Sequence, residues 1–386
     1  MISNKYRIGF LVAIFLALIS FPILNDEFKI VKDIQSTENR KLAEKPKLDV
    51  TYLDPYPVKF EAYYNDNFTI RSIMVKYFNL LNIKVFNKSP LPKKVVIGRN
   101  GWLFMADKEL EAYQNLNSFN QEELEAFKKE LDFRIDYLAE RNCKFYFMVA
   151  PIKANIYSEY MPSTIYRVRK KSWGEQLNEY LRDNSKCDPV DVYDVLRENK
   201  DEELVYFKLD NHWNQLGAFY CALEFFKQVQ ADFPDFKVPS IDDYSITKTE
   251  ISRGNIVKML SNIEGYKDFE VKLQPESGFK AKDVKAIGYA CVPGFPYPHE
   301  FEMDKEITGS DLPRIIIITD SYGANIFPFI ADHFSRSVKI FDSWQYKLNE
   351  DIVNAEKPDI VLVITLESNL KSLLKNAYTN PENKKQ

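Results

Sequence analysis

Metal and redox chemistry have little to draw on in this sequence. Only three histidines and four cysteines occur among 386 residues, and none stands at the spacing by which His and Cys grip an ion. Neither a metal nor a cofactor is expected. An excess of one charge is missing too. Lys and Arg number 52 against 56 Asp and Glu, a formal net charge of -4, so no basic field suits the chain to nucleic acid. Internal repeats are absent. Long apolar runs are absent as well, with one exception at the N-terminus.

That run covers residues 8–24, broken only by Ser20 and Pro22, with Lys5 and Arg7 before it and Asp26 and Glu27 after it. A positive flank ahead of an apolar core fits insertion with the N-terminus in the cytoplasm. The run is slightly short for a transmembrane helix, long for a signal-peptide core, and lacks a small-x-small cleavage site. Residues 1–27 are therefore expected to be an uncleaved anchor, with a signal peptide as the alternative. Either way the remainder lies outside the cytoplasm, periplasmic or extracellular. Such a compartment permits disulfides. Cys143 and Cys187 precede predicted strands at 144–150 and 189–192. If those strands are parallel neighbours, a bridge between the two thiols is open. Cys221, inside a helical pattern, reads as a small buried apolar residue.

Residues 28–90 read as an extended arm and a helical lead-in, amphipathic from Phe60 to about residue 86. Asn100-Gly101, between the β-prone runs 95–99 and 102–104, predicts a hairpin. Asn120 and Glu123 form a capping box ahead of Leu124, Phe127, Leu131, Ile135 and Leu138 at helical spacing. An apolar strand at 145–150 stops at Pro151, and helices follow over 171–183 and after Asn214. Residues 234–312 are irregular and read as an insertion with small β elements at 269–273 and 284–291. Regular order then returns: strands at 315–318, 338–341 and 360–364, with helices at 323–334 and 348–355 between them. Apolar strands alternating with helices predict an α/β domain over 91–380, its mainly parallel sheet covered on both faces.

The chemistry-bearing stretch is Asp210-Asn211-His212-Trp213-Asn214. In an extended segment residues i and i+2 share a side, so Asp210 and His212 face one cleft. A carboxylate beside an imidazole is what a general base needs. The plain alternative is an Asp that caps the next helix. A nucleophile has to come from elsewhere, and the predicted strand 315–318 runs straight into Thr319-Asp320-Ser321-Tyr322-Gly323. A serine at a strand-to-helix turn presents its hydroxyl beside helix N-terminal N–H groups, which suit an oxyanion. Here too the plain alternative is helix capping. Trp213 and Tyr322 are candidate sugar-binding aromatics, with packing as the competing role.

With these pieces in view, the sequence resembles the SGNH-hydrolase-like proteins of alginate O-acetylation (the AlgX/AlgJ family) and the related DHHW proteins. The resemblance rests on Asp210-x-His212-Trp213-Asn214-x-x-Gly217-Ala218 and Asp320-Ser321-Tyr322. Further pieces occur in order: Glu38 to Ala43, Asp66-Asn67-Phe68 with Arg71, Gly98 to Phe104, Pro151-x-Lys153 with Tyr157, and Glu367 with Asn369. It implies an SGNH-like three-layer sandwich. Ser321 would accept an acetyl group, His212 would act as base and then acid, and Asp210 would orient the imidazole. The acceptor would be a hydroxyl of an exported polysaccharide, and the donor a membrane-bound O-acyltransferase partner. An acetylesterase with the same triad, or a non-catalytic scaffold of a polysaccharide assembly, are the alternatives. The chain departs from the pattern at Asn211, where DHHW proteins carry a second His, and at Thr319, which replaces a Gly. The oxyanion-hole Gly and Asn find no match, and no room is expected for a C-terminal carbohydrate-binding module.

Overall fold

The computed structural model describes residues 4–32, 42–86, 88–261 and 263–380, arranged as two compact units. The first unit comprises Met1–Val95 with Ser252–Tyr266. Its helices are Asn4–Phe28, Pro55–Asn67, Arg71–Lys84 and Asn255–Met259. Phe10, Leu11, Phe15 and Leu18 of the first helix are exposed. Among the described residues, no helix is long and apolar enough to cross a membrane. Asp66 and Asn67 hold Ala43, whose N–H donates to Asp66 Oδ2 at 2.8 Å and whose carbonyl accepts from Asn67 Nδ2 at 2.8 Å. Most of the Glu38 to Ala43 piece (residues 38–41) lies outside the described residues. Residues 252–266 come out of the segment read as an insertion. They pack here through Asn79 Nδ2 to Ser261 Oγ (3.3 Å) and Lys76 to Glu264 (3.2 Å).

The strands are β1 (Val95–Ile97), β2 (Leu103–Met105), β3 (Lys144–Ala150), β4 (Tyr244–Ile251), β5 (Asp268–Pro275), β6 (Lys282–Val284), β7 (Glu302–Glu306), β8 (Arg314–Thr319), β9 (Arg336–Phe341) and β10 (Ile360–Leu366). β1 and β2 close over Asn100 and Gly101, both at positive φ (53° and 78°), as a tight hairpin turn demands. β4 and β5 form a second antiparallel hairpin. The central sheet runs β3-β10-β8-β9-β7-β6, with the first four strands parallel, β7 antiparallel to β9, and β6 antiparallel to β7. It is therefore a mixed sheet.

Helices cover both faces. Tyr146 of β3 meets Phe225 of the helix Gln215–Asp232 edge-on at 5.3 Å. On the other face Val149 lies against Gly174 of the helix Trp173–Asn184. Burial on both sides explains the unbroken apolar strands. Ile315, Ile316, Ile317 and Ile318 are at most 3% exposed, each contributing about 1.5–3 kcal/mol. The predicted capping box holds, with Asn120 and Glu123 in the reciprocal arrangement, and Ser172 with Glu175 forms a second one that was not expected from the sequence.

Three expectations are corrected. Residues 189–192 form no strand; Val190 alone bridges Met148. All four cysteines are free, so Cys143 and Cys187 are not bridged. The segment 234–312 is more than an insertion, because β6 and β7 extend the central sheet. The sequence of β7, Glu302-Met303-Asp304-Lys305-Glu306, is polar on both faces, so it lacks the apolar alternation that marks a strand.

Candidate active site

The carboxyl ends of the parallel strands converge on one region, where open α/β sheets collect functional groups. β3 delivers Pro151 and Lys153, β8 delivers Asp320 and Ser321, β9 leads to Asp342 and Tyr346, and β10 leads to Glu367 and Asn369.

After β8 the chain turns sharply into the helix Gly323–Ala331. A Cβ on Gly323 would lie 2.3 Å from Thr319 Cγ2, so the turn closes only around glycine. The capping role at this turn falls to Asp320. Its Oδ1 accepts from Tyr322 N (2.9 Å), and its carbonyl accepts from Gly323 N (3.0 Å). Its Oδ2 accepts from Tyr346 O–H (2.6 Å) and Leu366 N (3.0 Å), which ties the turn to the end of β10. Burial pushes the Asp320 carboxyl up, against the pull of these donors. Ser321 is thereby left out of the cap, and its own N–H has no hydrogen-bond partner among the described residues.

Ser321 Oγ instead meets His212 Nε2 at 2.8 Å, and His212 Nδ1 meets Asp210 Oδ1 at 2.6 Å. The segment 210–212 is not extended, as expected, but bent. His212 N–H donates to Asp210 Oδ1 at 3.1 Å, an Asx-type turn that puts both side chains on one side by another route. Burial works against the His212 imidazolium, yet the bond to Asp210 and the charges of Asp210, Asp320 and Glu109 outweigh it, and the pKa is raised. The arrangement can pass a proton from a serine hydroxyl to an imidazole whose cationic form a carboxylate stabilises.

Each remaining residue of the motif positions this pair. Trp213 Nε1–H donates to Tyr322 O (3.0 Å), and Tyr322 O–H donates to Asn211 O (2.7 Å), a reciprocal clasp between the two loops. Both rings are 0% exposed. They offer no face to a sugar, which corrects their reading as substrate-binding aromatics. Asn214 caps the next helix by accepting from Gly217 N (3.0 Å), and a Cβ on Gly217 would lie 2.2 Å from Val205 O. Glu367, fully buried at the end of β10, accepts from Ile152 N (3.3 Å), Asn155 Nδ2 (2.7 Å) and Gly174 N (2.9 Å).

Sequence reasoning missed Glu109. It sits in the short helix Lys108–Gln114 and is buried, and no hydrogen bond to its carboxylate is formed among the described residues. Burial pushes this carboxyl up to about 7, against the charges of Lys153 and His212. No motif marks it; only the fold brings it near the dyad. The other histidines stand apart. His333 packs between Phe226 and Phe236, where burial lowers its pKa to about 4, and His299 is exposed. Among the described residues, no group of three or more His, Cys, Asp and Glu is placed to hold a metal.

Residues 95–276 match the family described as SGNH hydrolase-like domain, acetyltransferase AlgX. This stretch contains Glu109, Lys153 and the Asp210–His212 dyad and ends before Ser321. The chain is 24% identical over 273 residues to the probable alginate O-acetylase AlgJ of Pseudomonas aeruginosa, covering 69% of this chain and 64% of that protein. Among solved structures it is similar to Bacillus cereus PatB1, with a TM-score of 0.53 and 19% identity over 70% of this chain and 95% of that one. It is also similar to a DHHW family protein from Eubacterium siraeum, with a TM-score of 0.51 and 18% identity over 73% and 98%. The sheet and the turn after β8 agree with these matches: the chain has an SGNH hydrolase-like α/β fold with a mixed central sheet, and over residues 95–276 it is similar to the AlgX and AlgJ proteins.

Proposed function

We propose that the chain is an O-acetyltransferase that moves acetyl groups onto an exported polysaccharide through an acyl-enzyme on Ser321. The observation that carries this is the continuous relay Asp210–His212–Ser321, with contacts of 2.6 and 2.8 Å. Ser321 Oγ attacks the acetyl carbonyl carbon while His212 Nε2 takes its proton. The Ser321 N–H, which has no other partner among the described residues, faces the developing oxyanion. Collapse breaks the bond to the donor, and His212 returns the proton to the leaving group. A sugar hydroxyl then attacks the acetyl-serine, gives its proton to His212, and leaves as the acetyl ester while Ser321 regains its proton. Asp210 orients the imidazole and stabilises its cation without itself reacting.

A polysaccharide acceptor is supported by the named activity of the AlgJ relative. The acetyl donor would be a membrane-bound O-acyltransferase, as the motif resemblance implies. The exposed apolar side chains of the helix Asn4–Phe28, behind Lys5 and Arg7, support attachment to a membrane with the rest of the chain outside the cytoplasm. Carbonate extraction of membranes and protease digestion of intact cells check that placement; recovery in the cytosol would overturn it.

The activity is tested with the full chain and para-nitrophenyl acetate, following ester turnover and protein mass. The expected result is a gain of one acetyl group, absent from Ser321→Ala and from His212→Ala, and its transfer to added polysaccharide. An acetyl adduct that persists in Ser321→Ala would remove the assignment. Release of the acetyl group only to water, whatever acceptor is offered, would make the chain an esterase.

A further inference from the structure

Lys153 has no role in the chemistry just described, yet it is among the most deeply placed charges in the molecule, at 1% exposure. It opens the four-residue helix Lys153–Ile156 immediately after β3 and Pro151. Its Nζ donates to three backbone carbonyls: Phe207 O at 3.0 Å, Lys208 O at 3.1 Å and Asp210 O at 2.6 Å. All three belong to the loop that ends in His212. An ammonium has three N–H donors and no acceptor, so this site uses every one. The ammonium also stands 5.6 Å from the ring centre of Trp102 and 5.1 Å from that of Phe104, on the β1–β2 hairpin. Leu103 N–H of that hairpin donates to Lys208 O at 3.0 Å, and Leu209 N–H donates to Asp268 Oδ2 at 2.9 Å. The loop has no regular secondary structure of its own between residues 207 and 212. Its shape comes from what it wraps.

We propose that Lys153 is the positioning residue of the dyad: a buried ammonium around which the loop carrying Asp210 and His212 is wound. This rests on the acyl-transfer reading of the site, and one arm of the test below does not. The Lys153 helix is pinned in turn by Glu367 at the end of β10, and the Ser321 turn is pinned at the same strand end by Leu366 N–H to Asp320. Base and nucleophile are thus registered against one strand. Misplacing catalytic groups by about 1 Å costs on the order of 100-fold in rate, so a loop without secondary structure needs such a frame.

The clamp has a pH signature. Burial lowers the Lys153 pKa to about 8, against the opposing charges of Asp210, Asp268 and Glu109, the carboxylates that face it from the dyad loop, β5 and the helix Lys108–Gln114. Lys208 is a second ammonium, 5.8 Å from the Trp102 ring centre. A neutral amine has two N–H donors, so deprotonation leaves one carbonyl unpartnered. Between about 8 and the ordinary 10.5 the unfolded chain still binds the proton that the folded chain has released. The contribution of this group to stability therefore rises with pH across that window. A fall in acylation there with the fold intact is loss of the clamp and not unfolding.

The experiment uses the full chain. With only three histidines, ¹⁵N-histidine NMR follows His212 directly, while a para-nitrophenyl acetate burst follows acylation. In Lys153→Met the His212 pKa is expected to fall toward its ordinary value as the bond to Asp210 loosens. Loss of a nearby positive charge alone would move it the other way. Acylation should drop on the order of 100-fold with the ester KM unchanged, and ethylammonium should restore part of it in Lys153→Ala. Wild-type acylation should decline above pH 8 in step with one lysine titrating by ¹³C NMR. A folded Lys153→Met whose His212 titrates as in wild type or higher would overturn the clamp, as would wild-type acylation flat to pH 10. If no variant folds, the wild-type alkaline limb decides. Absence of any acetyl adduct in wild type would overturn the acyl-transfer reading instead, and the His212 shift would still decide the clamp.

Discussion

Asp210 and His212 do face one another, as their spacing led one to expect, but through a different geometry. Strand-like alternation was expected, and the chain delivers a bend in which one carboxylate oxygen accepts from both the backbone and the ring of His212. The pairing was legible because only three histidines occur in the sequence; Glu109 was illegible because its placement depends on how helices pack. Its charge and that of Asp210 both raise the His212 pKa above 6.5. His212 must be neutral to take the serine proton, so a raised pKa moves the acid limb of acylation to higher pH. Asp210→Asn and Glu109→Gln should each shift that limb toward lower pH, with the larger shift and a large loss of rate for Asp210→Asn. An unmoved limb in a pH–rate profile of Glu109→Gln would show that its charge does not reach the base. Tyr322 gives a contrasting case. Tyr322→Phe removes one buried bond to Asn211 O and should cost about 1 kcal/mol in denaturant unfolding, with binding of the proposed polysaccharide unchanged because the ring is fully buried.

Elements announced themselves where local chemistry fixes them. The Asn120 capping box, the Asn100-Gly101 turn and the helix start after Asn214 all rest on side chain-to-backbone or φ-dictated features. β7 did not announce itself, because a strand of mostly charged residues is stabilised by its neighbours β9 and β6 and not by its own pattern. Arg336 of β9 bonds Asp304 and Glu306 of β7 at 2.7 Å each. The turn after β8 lies between these cases: its glycine was visible, but the reason for it was not. Thr319 fills the space behind Gly323, so Gly323→Ala forces a methyl into Thr319 Cγ2 and moves the Ser321 hydroxyl away from His212. Thermal melts and acylation rates of Gly323→Ala, Thr319→Gly and the double variant check this. The single glycine replacement should lose both stability and activity, and Thr319→Gly should return part of each in the double variant, a coupling expected only of residues in contact. Strict additivity would place the cause elsewhere.

For the whole molecule, alternation of apolar strands with helices was enough to foresee the α/β class, but not the strand order, in which β10, last in sequence, lies between β3 and β8. Order depends on contacts between residues far apart in sequence, which periodicity does not encode. The same limit applies to the cysteines. Cys143 and Cys187 suggested a staple because both stand near predicted strand starts; since 189–192 forms only one bridge, no pair of parallel strands brings them together. A domain of this size buries enough apolar surface to do without one. The consequence is measurable. Cys143, Cys187 and Cys221 are buried thiols, and burial pushes Cys143 up to about 12 and the other two upward as well, whereas Cys291 is partly exposed. A thiol reagent at neutral pH should therefore label Cys291 alone in the native chain and all four thiols after denaturation, because the thiolate is the reacting form and burial withholds it. Dithiothreitol should leave the melting temperature unchanged. Fewer than four thiols in denaturant without reductant, or a lower melting temperature on reduction, would show that the chain is stapled after all and that core burial alone does not hold it.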